Sequence, residues 1–362
     1  MLLHREALIT ILNSELSEAS LFTILTGAHE AGRIGSMATR IGMAKVPDTR
    51  LEALAGLFQP PKTVHAVVEY VDAAAISKEA LRDPTFLASL RVVDAFAHVL
   101  RIFDDPSVAH EAGSIDPVRD LENVELELIL SDLVVIEKRL ERLDKDRKKL
   151  KAPELDREFE VLVRAKAVLE SDQPLRQMEL TGDDEKLIRG FQFLSLKPML
   201  YVLNLGEADA PRLHETETQY AGGPLGGRQH TSVAAICGKI EAELAELSGE
   251  EAREYLASYG LTESGLERLI AASYSLLGLM SFLTAGEDEC RAWTIPTGSN
   301  AVKAAGAIHT DFEKKFIRAE VVNWKALIDH DGYAGVREKG LLRLEGKEYI
   351  VKDGDVLVIR HG

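Results

Sequence analysis

Cysteine is nearly missing from this chain: Cys237 and Cys290 are the only two in 362 residues. They lie far apart with no His or Cys at ligand spacing, which excludes a disulfide framework and a structural zinc site and suits a reducing, cytoplasmic setting. Long apolar runs are missing too, and none approaches the ~20 residues that a membrane span needs. The opening Met1-Leu2-Leu3-His4-Arg5-Glu6 does not read as a signal peptide, so no membrane partner is expected. Basic charge is in deficit, with 43 Lys and Arg against 59 Asp and Glu and a formal net charge of −16. That balance excludes indiscriminate binding of polyanions over the whole surface, so DNA specificity is not expected and any RNA contact must be local.

Hydrophobic residues make up 46% of the chain, enough for two or three cores. Ala7 to Leu12 is a short β-prone run, followed by polar Asn13 to Ser17 and a helical pattern through Leu21, Phe22 and Leu25. Further strands are expected at Val64 to Val71, ending in Asp72, at Ala97 to Phe103, at Met199 to Leu203 and at Val233 to Ile236. Short apolar strands alternating with helices predict an α/β fold with a mainly parallel sheet covered on both faces.

Between the third and fourth of these strands the period changes. Leu126, Leu133 and Leu140 repeat every seven residues, and Ile129, Ile136, Leu143 and Leu150 repeat in the intervening register. Pro153 breaks the helix, and Leu155, Leu162 and Leu169 with Phe159 form a second row, which predicts an inserted antiparallel helical hairpin. After about Leu279 strands are expected at Arg291 to Ile295, Ile317 to Val322, Leu341 to Leu344 and Val356 to Ile359, with a helix over Ala301 to Ile308. Gly346 and Asp353-Gly354 supply turns, and the order suggests a β-grasp module. The expected organisation is 1–115 and 191–278 for the two parts of the first domain, 116–190 for the hairpin and 279–362 for the module.

The segments Arg291-Ala292-Trp293-Thr294-Ile295-Pro296, Ala304-Ala305-Gly306, His309-Thr310-Asp311-Phe312-Glu313, Phe316 to Val321 and Glu345 to Val356 closely resemble the TGS-like domain of the Obg-like ATPases known as YchF. Upstream, Leu196-Lys197-Pro198, Asn204-Leu205-Gly206-Glu207, Val46-Pro47-Asp48 and Glu69-Tyr70-Val71-Asp72 extend the resemblance over nearly the whole chain. It implies a P-loop NTPase-like G domain, a coiled-coil insertion and a C-terminal TGS domain, in a family linked to ribosomes that prefers ATP to GTP.

A working phosphate loop in that family has the form G-x-x-x-x-G-K-S-T. Its glycines let backbone N–H groups close on phosphate, its Lys reaches the terminal phosphates and a hydroxyl holds Mg²⁺. Anchored on Leu21-Phe22, the corresponding positions hold Leu12, Ser17, Glu18, Ala19 and Ser20. A carboxylate at Glu18 turns attraction into repulsion, about 4 kcal/mol per charge pair at ~4 Å and an effective dielectric of ~20. Half of that is a large share of the roughly 8 kcal/mol of micromolar binding.

By the same resemblance Asp72 stands where an Asp positions Mg²⁺ through water, although a strand-end turn cap is the alternative, and Ala75 replaces the glycine that meets the γ-phosphate. Asp72 and Ser20 are thus the residual Mg²⁺ and phosphate positions. Asn204 and Glu207 resemble the N-x-x-E that reads adenine, and Lys239 in Cys237-Gly238-Lys239 falls beside the base-closing loop; an inherited structural loop is the competing reading. No catalytic residue, metal or cofactor is expected, with ATP or GTP plus Mg²⁺ as the alternative.

Gly222 to Gly227 reads as a surface loop. Residues 138–151 hold eight basic side chains, Lys138, Arg139, Arg142, Lys145, Arg147, Lys148, Lys149 and Lys151, against Glu141, Asp144 and Asp146. In an acidic chain this is a local footprint for a phosphate backbone, or else a solvated helix face. The expected partner is a ribosome, RNA or protein, met by Lys138, Arg142, Lys145, Lys148 and Lys149, with His309 and Arg318 of the C-terminal module. The expected function is a YchF-like, translation-associated GTPase/ATPase homologue that binds such a partner without hydrolysis, with an active or weakly active ATP- or GTP-binding P-loop NTPase that has a non-standard phosphate site as the alternative.

Overall fold

The structure is a computed structural model that describes residues 8–13, 21–27, 40–73, 79–105, 113–150 and 152–362. In chain order it begins with β1 (Leu8–Asn13), α1 (Leu21–Thr26), β2 (Arg40–Lys45), α2 (Thr49–Phe58), β3 (Thr63–Val64), β4 (Val67–Ala73), α3 (Pro84–Arg91) and β5 (Ala95–Arg101). Next come α4 (Pro117–Lys149), α5 (Pro153–Glu170), α6 (Gly182–Ile188), β6 (Met199–Asn204), α7 (Leu213–Gly222), β7 (Thr231–Ile236), α8 (Gly238–Leu244), α9 (Gly249–Ser258) and α10 (Gly265–Leu276). The remainder is β8 (Leu279–Ala285), β9 (Cys290–Pro296), α11 (Ala301–Ile308), α12 (Thr310–Lys314), β10 (Phe316–Asn323), α13 (Trp324–Asp329), α14 (Tyr333–Glu338), β11 (Arg343–Glu345) and β12 (Asp355–His361). The chain forms two compact units, one through Leu8–Gly42 and Tyr70–Ala272 and the other through Met43–Glu69 and Ser273–Gly362.

The first sheet has the order β2-β4-β1-β5-β6-β7. From β1 to β7 its strands run parallel, with Leu12 opposite His98 and His98 opposite Tyr201. Every residue of β5 and β6 is buried, as strands covered on both faces require. Leu12, which stands at the first glycine position of the resembling loop, is a core residue packed with Phe96, Tyr201 and Leu203.

The hairpin is as expected in kind. Asp116 caps α4 by accepting from the Arg119 N–H at 3.1 Å, Pro117 opens that helix, and Pro153 opens α5. Ile129, Ile136 and Leu143 pack against Leu162, Ala165 and Leu169, while Leu133 and Leu140 are half-buried beside them. The heptad reading is corrected at its ends, since Leu126 is 42% and Leu150 63% exposed. An α-helix turns more slowly than a strict seven-residue repeat requires, so the stripe drifts around it, and at its root α4 directs Leu121 and Leu128 into the sheet's core instead of toward α5.

The same root face carries buried polar groups. Glu125 pairs with Arg176 and accepts from the Tyr201 hydroxyl at 2.7 Å. Asp132 accepts from the N–H groups of Leu194 (2.9 Å) and Ser195 (2.7 Å) and from the Ser195 hydroxyl (2.7 Å). Desolvation nevertheless pushes the Asp132 carboxyl up to about 6, because those donors offset only part of the cost of burying its charge.

In the second unit the sheet order is β11-β10-β12-β8-β9-β3, with α11 on the face that buries Phe282, Ile295, Ala319 and Val321. This is the expected β-grasp pattern, and α11 spans the predicted residues. The single strand expected from Val64 to Val71 is instead two. Thr63 and Val64 pair in parallel with Cys290 and Arg291 of β9, whereas Val67 to Ala73 form β4 of the other sheet. At the change of sheet the Val46 N–H donates to the Ala66 carbonyl at 2.8 Å. Arg50, held by Asp48 (2.8 Å) and Asp353 (2.6 Å), fastens α2 within this unit. Of the two expected partner-facing residues here, Arg318 is exposed on β10, and His309 caps α12 by accepting the Asp311 N–H at 3.1 Å.

Candidate functional site

In an open parallel sheet a ligand crevice forms beyond the carboxyl ends of the strands. Here those ends are the last residues of β1, β4, β5, β6 and β7. The loop after β1, residues 14–20, lies outside the described residues, and with it the positions of Ser17, Glu18, Ala19 and Ser20; Ala75 lies outside them as well.

Asp72 is near the end of β4 and 16% exposed at its side chain. Its carboxylate takes both Nε (3.0 Å) and Nη2 of Arg40, the first residue of β2. The same guanidinium lies over the Phe22 ring of α1, 4.9 Å from its centroid. Next to it Gly42 runs so close to Thr26 that a Cβ would stand 2.5 Å from that side chain, so only glycine fits. Arg40 thus ties β2, β4 and α1 together at the carboxylate that the resemblance assigns to Mg²⁺. Neither Arg40 nor Gly42 was singled out by sequence; the residue facing Asp72 lies 32 positions away and no motif marks it.

At the opposite end the structure brings Asn204, Glu207 and Lys239 together. The buried Asn204 amide accepts the Gly238 N–H through Oδ1 at 2.9 Å, an approach that a Cβ on Gly238 would crowd. Glu207 is occupied at both oxygens, by the Lys239 ammonium and by the Tyr259 hydroxyl at 2.6 Å, and these contacts hold its carboxyl below the usual range. The three residues border a cavity of about 470 Å³ walled by Leu21, Phe103 and Ile236, with Asp104, Asp105 and Asp209 also on its lining.

One buried titratable group belongs to neither cluster. His98 on β5 is enclosed by the core, neither ring nitrogen has a hydrogen-bond partner among the described residues, and desolvation lowers it to about 4 against a weak pull from Asp120. It is neutral and structural. No cluster of metal-ligating side chains occurs among the described residues, and none of their helices is long and apolar enough to cross a membrane.

On the hairpin Arg139 is taken up by Glu158 (2.7 Å), Arg147 by Asp156 (2.5 Å) and Lys148 by Asp144 (2.6 Å). Lys138, Arg142, Lys145 and Lys149 are exposed and form no ion pair among the described residues. The loop at Gly222 to Gly227 is a turned, largely exposed segment after α7.

A parallel sheet with a crevice at its strand ends, a helical hairpin inserted between β5 and β6 and a C-terminal β-grasp unit define a G-domain protein of the P-loop class. The chain belongs to the YchF family. It is 42% identical over 357 residues to the ribosome-binding ATPase YchF of Bacillus subtilis (strain 168), covering 95% of this chain and 96% of that protein. It is 37% identical over 354 residues to the protein of the same name from Escherichia coli O157:H7, covering 94% and 95%. The solved structure of the Schizosaccharomyces pombe YchF GTPase superposes with a TM-score of 0.81 at 27% identity, covering 99% of this chain and 98% of that one. A family model described as a protein of unknown function (DUF933), YchF-GTPase_C, matches residues 279–362.

Proposed function

We propose that this chain is a YchF-family member that has given up nucleotide hydrolysis and acts as a ribosome- or RNA-binding module. The observation that carries the reading is the Arg40–Asp72 ion pair. A carboxylate that positions Mg²⁺ must be open to the ion's water shell, and here the side chain receives two N–H donors from a permanent cation. Without that metal position a triphosphate keeps its full charge, and the cavity at the base end offers no uncommitted cation among the described residues.

Binding is assigned to the hairpin, whose uncommitted cations Lys138, Arg142, Lys145 and Lys149, with Lys148, suit a phosphate backbone. The relatives' name, ribosome-binding ATPase, supports the ribosomal half of this reading. In it, segments 1–115 and 191–278 are the scaffold, 116–190 the binding arm, and 279–362, with Arg318 and His309, a second contact surface.

Co-sedimentation with ribosomes over a salt series, with and without Mg²⁺·ATP, tests the proposal. Pelleting should be unaffected by ATP, and phosphate release should stay at background. Replacing Lys138, Arg142, Lys145 and Lys149 by Glu should abolish pelleting, and each lost single-strand contact flattens the log–log salt slope by about 0.7. Turnover of ATP above background would contradict the first half, and unchanged pelleting of the Glu variant the second.

A further inference from the structure

We propose that the outer face of α4 is self-complementary, so that two copies of this chain pair antiparallel along it about a two-fold axis at Leu130. Leu126, Leu130 and Val134 follow one another every four residues and are 42%, 42% and 49% exposed. They belong neither to the seam against α5 nor to the core of the first sheet. Single exposed leucines are ordinary on a protein surface. Three large apolar side chains on successive turns of one helix face form a stripe of the kind that marks a contact.

The ends of the row identify the occupant. Glu122 stands four residues before Leu126 and Lys138 four after Val134; both are exposed, and neither is in an ion pair among the described residues. The row Glu122, Leu126, Leu130, Val134, Lys138 is about 24 Å long at ~1.5 Å per residue. Laid antiparallel on its own copy it is matched at every position. Glu122 lies beside the partner's Lys138, Leu126 beside the partner's Val134, and Leu130 beside the partner's Leu130. A parallel pairing would oppose Glu122 to Glu122 and Lys138 to Lys138, so the charges select the antiparallel one. An isologous interface needs each pair of residues to occur twice, and this row meets that condition.

Rows at i, i+4 pack ridge into groove when the two helices cross at about 50°. The apolar centre is small, three side chains from each copy, so the pair is a weak one, with a dissociation constant on the order of micromolar. The ionic ends set register and partner choice more than affinity. Of the five residues only Lys138 is shared with the surface assigned above to a phosphate backbone, so this pairing stands or falls apart from that reading.

Sedimentation equilibrium of the full chain, free of ribosomes, from about 1 to 200 µM should show a reversible monomer–dimer equilibrium. Leu130→Lys sets like charges face to face at the axis and should leave a monomer throughout, with circular dichroism verifying its fold. Glu122→Lys and Lys138→Glu each put like charges at both ends of the pair, and each alone should weaken self-association about tenfold. Mixed in equal amounts, these two variants oppose unlike charges at both ends again and should associate as tightly as the parent chain, as should the chain carrying both changes. A chain that stays monomeric at about 200 µM, a dimer that survives Leu130→Lys, or a mixture no tighter than its separate components would each overturn the inference.

Discussion

At the root of the hairpin Glu125, Asp132 and Arg176 are sealed from water and have specific partners, Arg176 for Glu125 and the Leu194 and Ser195 N–H groups for Asp132. Farther along the same helix Lys138, Arg142, Lys145 and Lys149 stand in solvent with no ion pair among the described residues. Charged residues of similar type fix the arm's attachment at one end and stay solvated at the other. What separates the two is desolvation: a buried charge that loses its partner is penalised by several kcal/mol, and an exposed one by almost nothing.

The largest expected effect is therefore at the root. Arg176→Met leaves Glu125 buried without its partner and should destabilise the protein by about 3–5 kcal/mol in urea unfolding. Adding Glu125→Met should recover most of that loss, since an apolar pair removes both desolvation costs. A small effect of Arg176→Met alone would mean that the root is more hydrated than its burial indicates.

A second, smaller effect is visible in pH. The carboxyl of Asp132 titrates at about 6 in the fold, above its ordinary 3.8, so its stabilising contribution is complete below about pH 4 and is lost as pH rises through 6. His98 has the opposite sign: lowered from 6.5 to about 4, it contributes stability above about pH 6.5 that is lost as pH falls toward 4. The two oppose each other across pH 4–6. Relative to the parent protein, Asp132→Asn should lose stability more steeply on acidification, and His98→Leu should lose less, each by about 1–3 kcal/mol over that window. Denaturant midpoints at pH 4, 5 and 6 check both signs.

The smallest change in stability belongs to the tip. Replacing Lys138, Arg142, Lys145 and Lys149 together by Glu should move the unfolding free energy by no more than about 0.5 kcal/mol per site, although it should abolish ribosome pelleting. A large loss of stability would show that the tip serves the fold as the root does.

Much of this architecture is legible in the sequence because it is written in apolar spacing. The runs around Ala97, Met199 and Val233 become fully or largely buried parallel strands, and Ile129, Ile136 and Leu143 form the hairpin seam. The edge strand β2 is not legible, since its large apolar residues Ile41 and Met43 are on the exposed face while Arg40, Gly42 and Ala44 alternate on the inner one, the reverse of an apolar-in pattern. Nor is the change of sheet between Val64 and Val67, because both strands have β-prone side chains and only their partners differ.

For the site, Asn204, Glu207 and Lys239 could be placed together from their resemblance to a family motif, and the structure joins them. That Glu207 is already saturated by Lys239 and Tyr259 could not be read, nor that Arg40 faces Asp72 across the fold. Both depend on side chains brought together from distant parts of the sequence, and spacing says nothing about which charges are already neutralised.

Calorimetric titration of Mg²⁺·ATP into the wild-type protein tests most directly whether Arg40 has taken the metal's place at Asp72. Silence up to millimolar nucleotide, with an identical thermal midpoint whether or not Mg²⁺ is present, is the predicted result. Saturable micromolar binding that requires Mg²⁺ and disappears in Asp72→Asn would contradict it.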